Sequence, residues 1–196
     1  MAAPTIVQAG HPVLRAAAAP VPAEMLGTKW LRDLVSSMVL AMRKAPGVGL
    51  AAPQIGVGLS LIVLEDAEAL MSRLSAEERA ARGRAPFPLK VIANPTLTTH
   101  GEARATFFEG CLSVPGYMAL VERDSEVEVS GVDERGDPVR WRVAGWPARV
   151  LAHEVDHLRG TLYVDRMISR TLSANVEVAR WMSLPAEEVK QRLGAH

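Results

Sequence analysis

The segment VLAHEVDHLRG, residues 150–160, sets two histidines four apart with a glutamate directly after the first. On a helix, positions i and i+4 project from the same face, so His153 and His157 can aim both imidazoles at one point. Glu154 sits beside them. Two readings fit. In one, the imidazoles ligate a metal and the carboxylate, held off the metal, moves protons for a bound water. In the other, a surface helix carries two hydrogen-bonded histidines; under either, Asp156 and Arg159 form the solvated face. Val150 and Trp146 extend the histidine face toward the N-terminus, which turns it inward. The metal reading still needs a third ligand from elsewhere in the chain.

Working outward, Gly145 and Pro147 punctuate the start of this helix, and Gly160 marks its end. EVEVSGVD (126–133) and PVRWRVAG (138–145) alternate apolar and polar residues around ERGD, the pattern of a β-hairpin. RATFFEGCLSV (104–114) is expected to be extended, with a turn at Gly110; PLKVIANP (88–95) and LSLIVLE (59–65) read as strands. From Trp30, the residues Leu31, Leu34, Val35, Met38, Val39 and Met42 predict a helix that Pro46 and Gly47 stop. The Ala- and Pro-rich start runs irregularly, with Leu14 and Val21 as anchors. Residues 66–83 read as a charged, helix-prone, exposed excursion, and AEEVKQRL as a closing helix. Strands followed by a central helix predict an α+β fold, with antiparallel or mixed sheets packed around the helix that carries the histidines, in one domain over residues 1–196.

With 196 residues, 48% hydrophobic and 22% charged, the chain has the composition of a globular protein with a sizeable core. A net charge of +0 supplies no bulk field for nucleic acid or an anionic membrane, so neither is expected as a stable partner. No apolar run approaches the ~20 residues that span a bilayer. MAAPTIVQAGHPVLR lacks a basic n-region followed by an apolar h-region, and one arginine is too few for a transit peptide. One cysteine fits a reducing compartment, and the expectation is a cytoplasmic protein.

For the third ligand, a structural zinc site would favour four protein ligands and several cysteines. His11 and His100 fall in irregular segments, and His196 is the last residue. Cys111 follows a glycine just after a strand; its alternative is a small buried hydrophobe. Downstream of the helix, RGTLYVDR offers only Asp165, at a spacing that suits a zincin-type endopeptidase poorly.

GVGLAAPQ (47–54), EGCLS (109–113) and HEVDHL (153–158), in this order and well separated, resemble peptide deformylases, metalloenzymes that remove the formyl group from the N-terminal methionine of new proteins. The resemblance runs from about His11 to Thr171. EGCLSVPGY, the GW before the histidine helix, LYVDRM after it and the excursion at 66–84 are similar to the subgroup found in organelles and some bacteria. Where family members usually carry Gln before the first histidine this chain has Ala152, which leaves the ligands untouched and removes one hydrogen-bonding group beside the metal.

The resemblance implies Cys111, His153 and His157 as ligands of one divalent ion, with the fourth tetrahedral position left for water. It implies ferrous iron, with zinc, nickel or cobalt able to occupy the site; spacing alone does not choose. Glu154 matches the general base, and Gln54 with the Leu112 N–H matches the oxyanion donors. Gln54 also reads as a polar residue closing a turn. Gly49 matches the strand position that pairs with the peptide, while Val48 and Trp146, with Tyr117 at the rim, match the methionine pocket; core packing is the alternative for these three. Glu109 is expected to order its loop by hydrogen bonding. The partners implied are the nascent formyl-methionyl polypeptide and a transient contact with the ribosome. Two other functions compete: a zincin-type endopeptidase, and a non-catalytic metal or redox sensor using Cys111.

Overall fold

A computed structural model of the chain describes residues 3–72 and 74–195, so His196 lies outside the described residues. Helix α1 (Lys29–Lys44) forms where the apolar spacing predicts, capped by Thr28, whose hydroxyl accepts from the Leu31 N–H at 3.3 Å. Its stripe of Leu31, Val35, Met38 and Met42 is buried.

Strands β1 (Gly49–Ala51), β2 (Leu61–Asp66) and β3 (Phe87–Thr99) are followed by β4 (Arg104–Cys111), β5 (Val114–Asp124), β6 (Glu126–Val132) and β7 (Pro138–Ala144). With β8 (Ser173–Ala174) they form two sheets, ordered β1-β2-β3-β6-β7 and β4-β5-β8. Every strand pair in these sheets is antiparallel. The predicted hairpin is β6–β7, in register from Glu126↔Ala144 to Val132↔Pro138.

Strand β2 shows why the core has two halves. Its side chains alternate between faces: Leu61 and Val63 pack with α1, while Ile62 and Leu64 pack against helix α3 (Trp146–Leu158). An apolar run without polar alternation is what a strand covered on both faces requires. Helix α3 touches the strands of the first sheet and β5 of the second, so it is the central element of an α+β fold. The short helices α4 (Asn175–Val178) and α5 (Ala186–Arg192), reached after β8, cover Phe108 and Leu120 of the second sheet. Leu14 and Val21 anchor the irregular start as expected.

Three expectations need correction. Strand β4 continues through Gly110 to Cys111, and the turn falls at Leu112–Ser113. Asp156 does not join Arg159 on a solvated face: it is 3% exposed because two arginines pair with it. The segment 66–83 holds a 3-10 turn (Glu68–Met71) and helix α2 (Ala76–Arg82), yet Asp66, Met71 and Arg82 are buried. Its charge disguises a segment pinned at both ends.

Candidate active site

On α3, His153 and His157 stand one turn apart with ring centroids 5.1 Å from each other. Cys111 arrives from the second sheet. The β4–β5 register breaks between Gly110 and Cys111, a bulge of the kind that re-aims a side chain. Cys111 Sγ lies 3.2 Å from His157 Nε2, and the donor atoms of Cys111, His153 and His157 all fall within 4.8 Å of one another. Donors bonded to one tetrahedral ion at roughly 2.0–2.3 Å stand about 3.3–3.6 Å apart, so this set fits a divalent metal with little adjustment. Asp165 is elsewhere: it pairs with Arg15 and accepts from the Leu162 N–H. His11 is likewise spent, its ring accepting from the Val13 N–H.

Behind His153 lies a buried ionic wall. Glu109 Oε2 is 3.1 Å from His153 Nδ1, which leaves Nε2 as the nitrogen free to ligate. Arg123 donates to both Glu109 oxygens at 2.7 and 2.9 Å, and Arg149 adds a third bond at 2.5 Å. Arg123 also reaches Asp156 at 2.7 Å, and Arg166 forks onto the same carboxylate at 2.6 and 2.7 Å. Burial alone would raise the Glu109 carboxyl; the bonds from Arg123 and His153 outweigh it and hold it well below the usual carboxylate range. Glu109 was expected to order a loop. It sits on a strand and orients a histidine.

Glu154 has the opposite surroundings. It is 4% exposed, and its Oε2 has no hydrogen-bond partner among the described residues. Burial pushes its carboxyl up to about 7, against the pull of His153 and Arg123. A Cβ on Gly49 would stand 2.4 Å from Glu154 Oε1, so only glycine lets β1 pass this close to the carboxylate. Burial drives the His157 imidazole well below its ordinary value, which keeps it neutral as a ligand must be.

Gln54 closes its turn and turns its amide nitrogen toward the cysteine. Its Oε1 accepts from the Ala51 N–H at 2.8 Å, closing the turn, while Nε2 points at Ser113 Oγ (3.4 Å) and Cys111 Sγ (3.6 Å). The Ser113 N–H also approaches the sulfur, at 3.4 Å. These groups open onto a cleft of about 900 Å³. Val48, Gly49, Gln54, Cys111 and Leu112 line one part of it; Tyr117, Trp146, His153 and Glu154 line the rest. His157 alone of the predicted residues is sealed behind, at 0% exposure.

Sequence reasoning missed Arg123, Arg149 and Arg84. Arg149 is four residues before His153, the same helical stripe, and Arg123 shares strand parity with buried Ala119 and Val121. Both signals were present, but an arginine on an inward face is readable only once its carboxylate is known.

Residues 3–173 match the family model for polypeptide deformylase. The chain belongs to that family. Deformylases remove the formyl group from an N-terminal methionine. The chain is 51% identical over 170 residues to chloroplastic peptide deformylase 1A of Solanum lycopersicum, covering 87% of this chain and 61% of the tomato protein. Peptide deformylase 1 of Streptomyces coelicolor is 49% identical over 180 residues, covering 92% of this chain and 80% of the relative. Among solved structures, the Met-Ala-Ser-bound class I type b deformylase of Acinetobacter baumannii superposes with a TM-score of 0.75 at 31% identity, covering 85% of this chain and 99% of that one. Among the described residues, no helix is long and apolar enough to cross a membrane.

Proposed function

We propose that this chain hydrolyses the formamide bond of N-formyl-methionyl polypeptides, releasing formate and a free methionyl amine. One observation carries the reading: Cys111, His153 and His157 converge on a point beside a buried carboxylate that has no cation paired to it among the described residues, inside a cleft. A divalent metal bound there would supply Lewis acidity and ease the deprotonation of water near neutral pH. Glu154 takes the proton from water and delivers it to the departing nitrogen, and its burial without a paired arginine raises its carboxyl toward the range such transfers need. Gln54 Nε2 and the Leu112 N–H donate to the formyl oxygen as it gains negative charge. Strand β1 has β2 on one side only, so its other edge can receive an extended peptide at Gly49. Val48 and Trp146 wall an apolar pocket for the methionine side chain, with Tyr117, 50% exposed, at its rim.

We assign ferrous iron as the native ion, with zinc, nickel or cobalt as substitutes, since one sulfur and two nitrogens accept any of them. A lone thiol in such a site favours a reducing compartment, for which we take the cytoplasm. The substrate emerges from the ribosome, so a transient contact there belongs to the same reading. We treat residues 1–196 as one catalytic domain, because the site draws on segments from Val48 to His157 and the last helices cap its second sheet.

Incubating the metal-loaded protein with formyl-Met-Ala-Ser tests the proposal. Formate release is the expected result. Cleavage between internal residues would make the protein an endopeptidase, and tight metal binding with no product would make it a sensor. Metal analysis of protein purified without oxygen checks the iron. The iron form should lose activity in air faster than a nickel form, because thiolate and ferrous ion are both open to oxidation; equal decay would count against iron.

A further inference from the structure

The segment expected to be an exposed excursion contributes a wall to the cleft. Ala69, Leu70, Ser72 and Arg84 face the same space as Trp146 and Glu154. Where it rejoins the core it is packed backbone to backbone against the start of α3. Gly83 (φ +56°) ends α2, and a Cβ on Gly145 would stand 2.9 Å from the Arg82 carbonyl oxygen and 3.0 Å from Gly83 Cα. Both positions therefore need glycine.

Two guanidinium groups lie over the Trp146 ring from this segment, Arg84 at 5.0 Å and Arg82 at 6.0 Å from its centroid. Arg84 is itself held rigidly. Its Nε and Nη2 donate to Asp66 Oδ2 and Oδ1 at 2.8 and 2.9 Å, and the Asp66 side chain is 0% exposed. A planar fork gripped at both nitrogens has one orientation, and it fixes the guanidinium over the indole. The Trp146 N–H is buried and bonds to no described residue, so no hydrogen bond fixes the ring. Stacking must.

We propose that Arg84, oriented by Asp66, is a positioning residue for the methionine pocket, acting through Trp146. This rests on the function proposed above, in which Trp146 walls that pocket. Trp146 is the first residue of α3, two turns before His153, so a tilted ring would change the pocket and leave the ligands and Glu154 in place. Loss of Arg84 should therefore appear in binding and not in chemistry.

The experiment uses the metal-loaded full chain and formyl-Met-Ala-Ser. Arg84→Lys keeps a cation for Asp66 and loses the planar fork; the pair Asp66→Asn with Arg84→Met removes both charges and leaves neither carboxylate nor cation unpaired. The double variant should raise KM by about two- to thirtyfold, the span of a partly to fully desolvated cation–π contact, and Arg84→Lys, which keeps a cation without the fixed fork, by about twofold or more, with kcat unchanged in both. In a Trp146→Ala background, Arg84→Lys should raise KM no further, because the residue it acts through is gone. An unchanged KM, a KM effect of equal size in both backgrounds, or a loss confined to kcat would overturn the clamp while the parent enzyme still releases formate. Failure of both variants to fold would also overturn it, making the pair structural support. A parent enzyme that releases no formate removes the proposed function itself, and the clamp with it.

Discussion

On one side of His153, Glu109 is met by Arg123, Arg149 and the imidazole; on the other, Glu154 is equally buried, at 4% exposure, and among the described residues meets no cation within hydrogen-bond reach. Both are buried glutamates beside the same imidazole ring. Their carboxyls nevertheless move in opposite directions, Glu109 down and Glu154 up to about 7. Burial acts alike on both, so partners decide the outcome. Glu109, which holds the His153 ring, is surrounded by arginines. Glu154, the base in the proposed reaction, is kept from such partners among the described residues, and glycine at position 49 gives it room.

The largest effect should come from the unpaired side. Glu154→Ala removes no ligand, so metal should still bind, while turnover falls by about 10⁴-fold, the upper end of what general acid–base catalysis contributes. The amine leaves poorly unless protonated, which puts the loss at that end. His153→Ala and Cys111→Ala should instead lose metal and activity together. Metal stoichiometry and turnover on the same preparation separate the two outcomes. A Glu154→Ala protein that is metal-free, or metal-loaded with near-normal turnover, would take the base assignment away.

The ionic wall should report through stability. Arg123→Met takes the shared cation from Glu109 and Asp156; breaking a buried pair by removing one partner typically costs about 3–5 kcal/mol, and Arg149 and Arg166, which still meet the two carboxylates, put the loss at the lower end. Urea unfolding midpoints would measure it. A change below about 1 kcal/mol, the range of an exposed pair, would mean that water reaches this wall. Next in size, Gly49→Ala should lower kcat by about 10²-fold with metal content intact, since the new methyl group displaces the Glu154 carboxylate and small misplacements of a catalytic group carry penalties of that order. Normal kcat in that variant would show that Glu154 works from another rotamer.

The same contrast explains what could be read in the sequence. The helix carrying His153, Glu154 and His157 was legible because its partners are four residues apart and share a period. Cys111 stood out as the lone thiol. The hairpin β6–β7 and strand β2 followed from alternation and from a bounded apolar run. The wall was not legible, because Glu109, Arg123 and Arg149 come from two strands and a helix, 14 to 40 residues apart, and charge pairing leaves no local periodicity. Asp156 was misplaced for the same reason: read alone it is a surface aspartate. It lies three residues after His153 and seven after Arg149, on the stripe that faces the wall, yet burial there is tolerable only because Arg123 and Arg166, from elsewhere in the chain, pair with it. The excursion at 66–83 was misread likewise, its composition exposed and its two ends buried.

The smallest effect sharpens where the wall ends. Arg166 grips Asp156 with two hydrogen bonds, geometrically better than the single contact from Arg123, yet its side chain is 45% exposed against 5% for Arg123. Counting hydrogen bonds would rank Arg166 first. Solvent ranks it last: its charge is hydrated on the outer side, so its attraction to Asp156 is screened, and Arg166→Ala leaves that carboxylate with the interior arginine. The expected loss is about 1 kcal/mol or less, shrinking further in high salt, with turnover and metal content unaltered. Urea unfolding at low and high ionic strength, run beside Arg123→Met, gives the comparison. A loss for Arg166→Ala that matches the interior variant and resists salt would move the boundary of the dry region outward, past Asp156 to the surface.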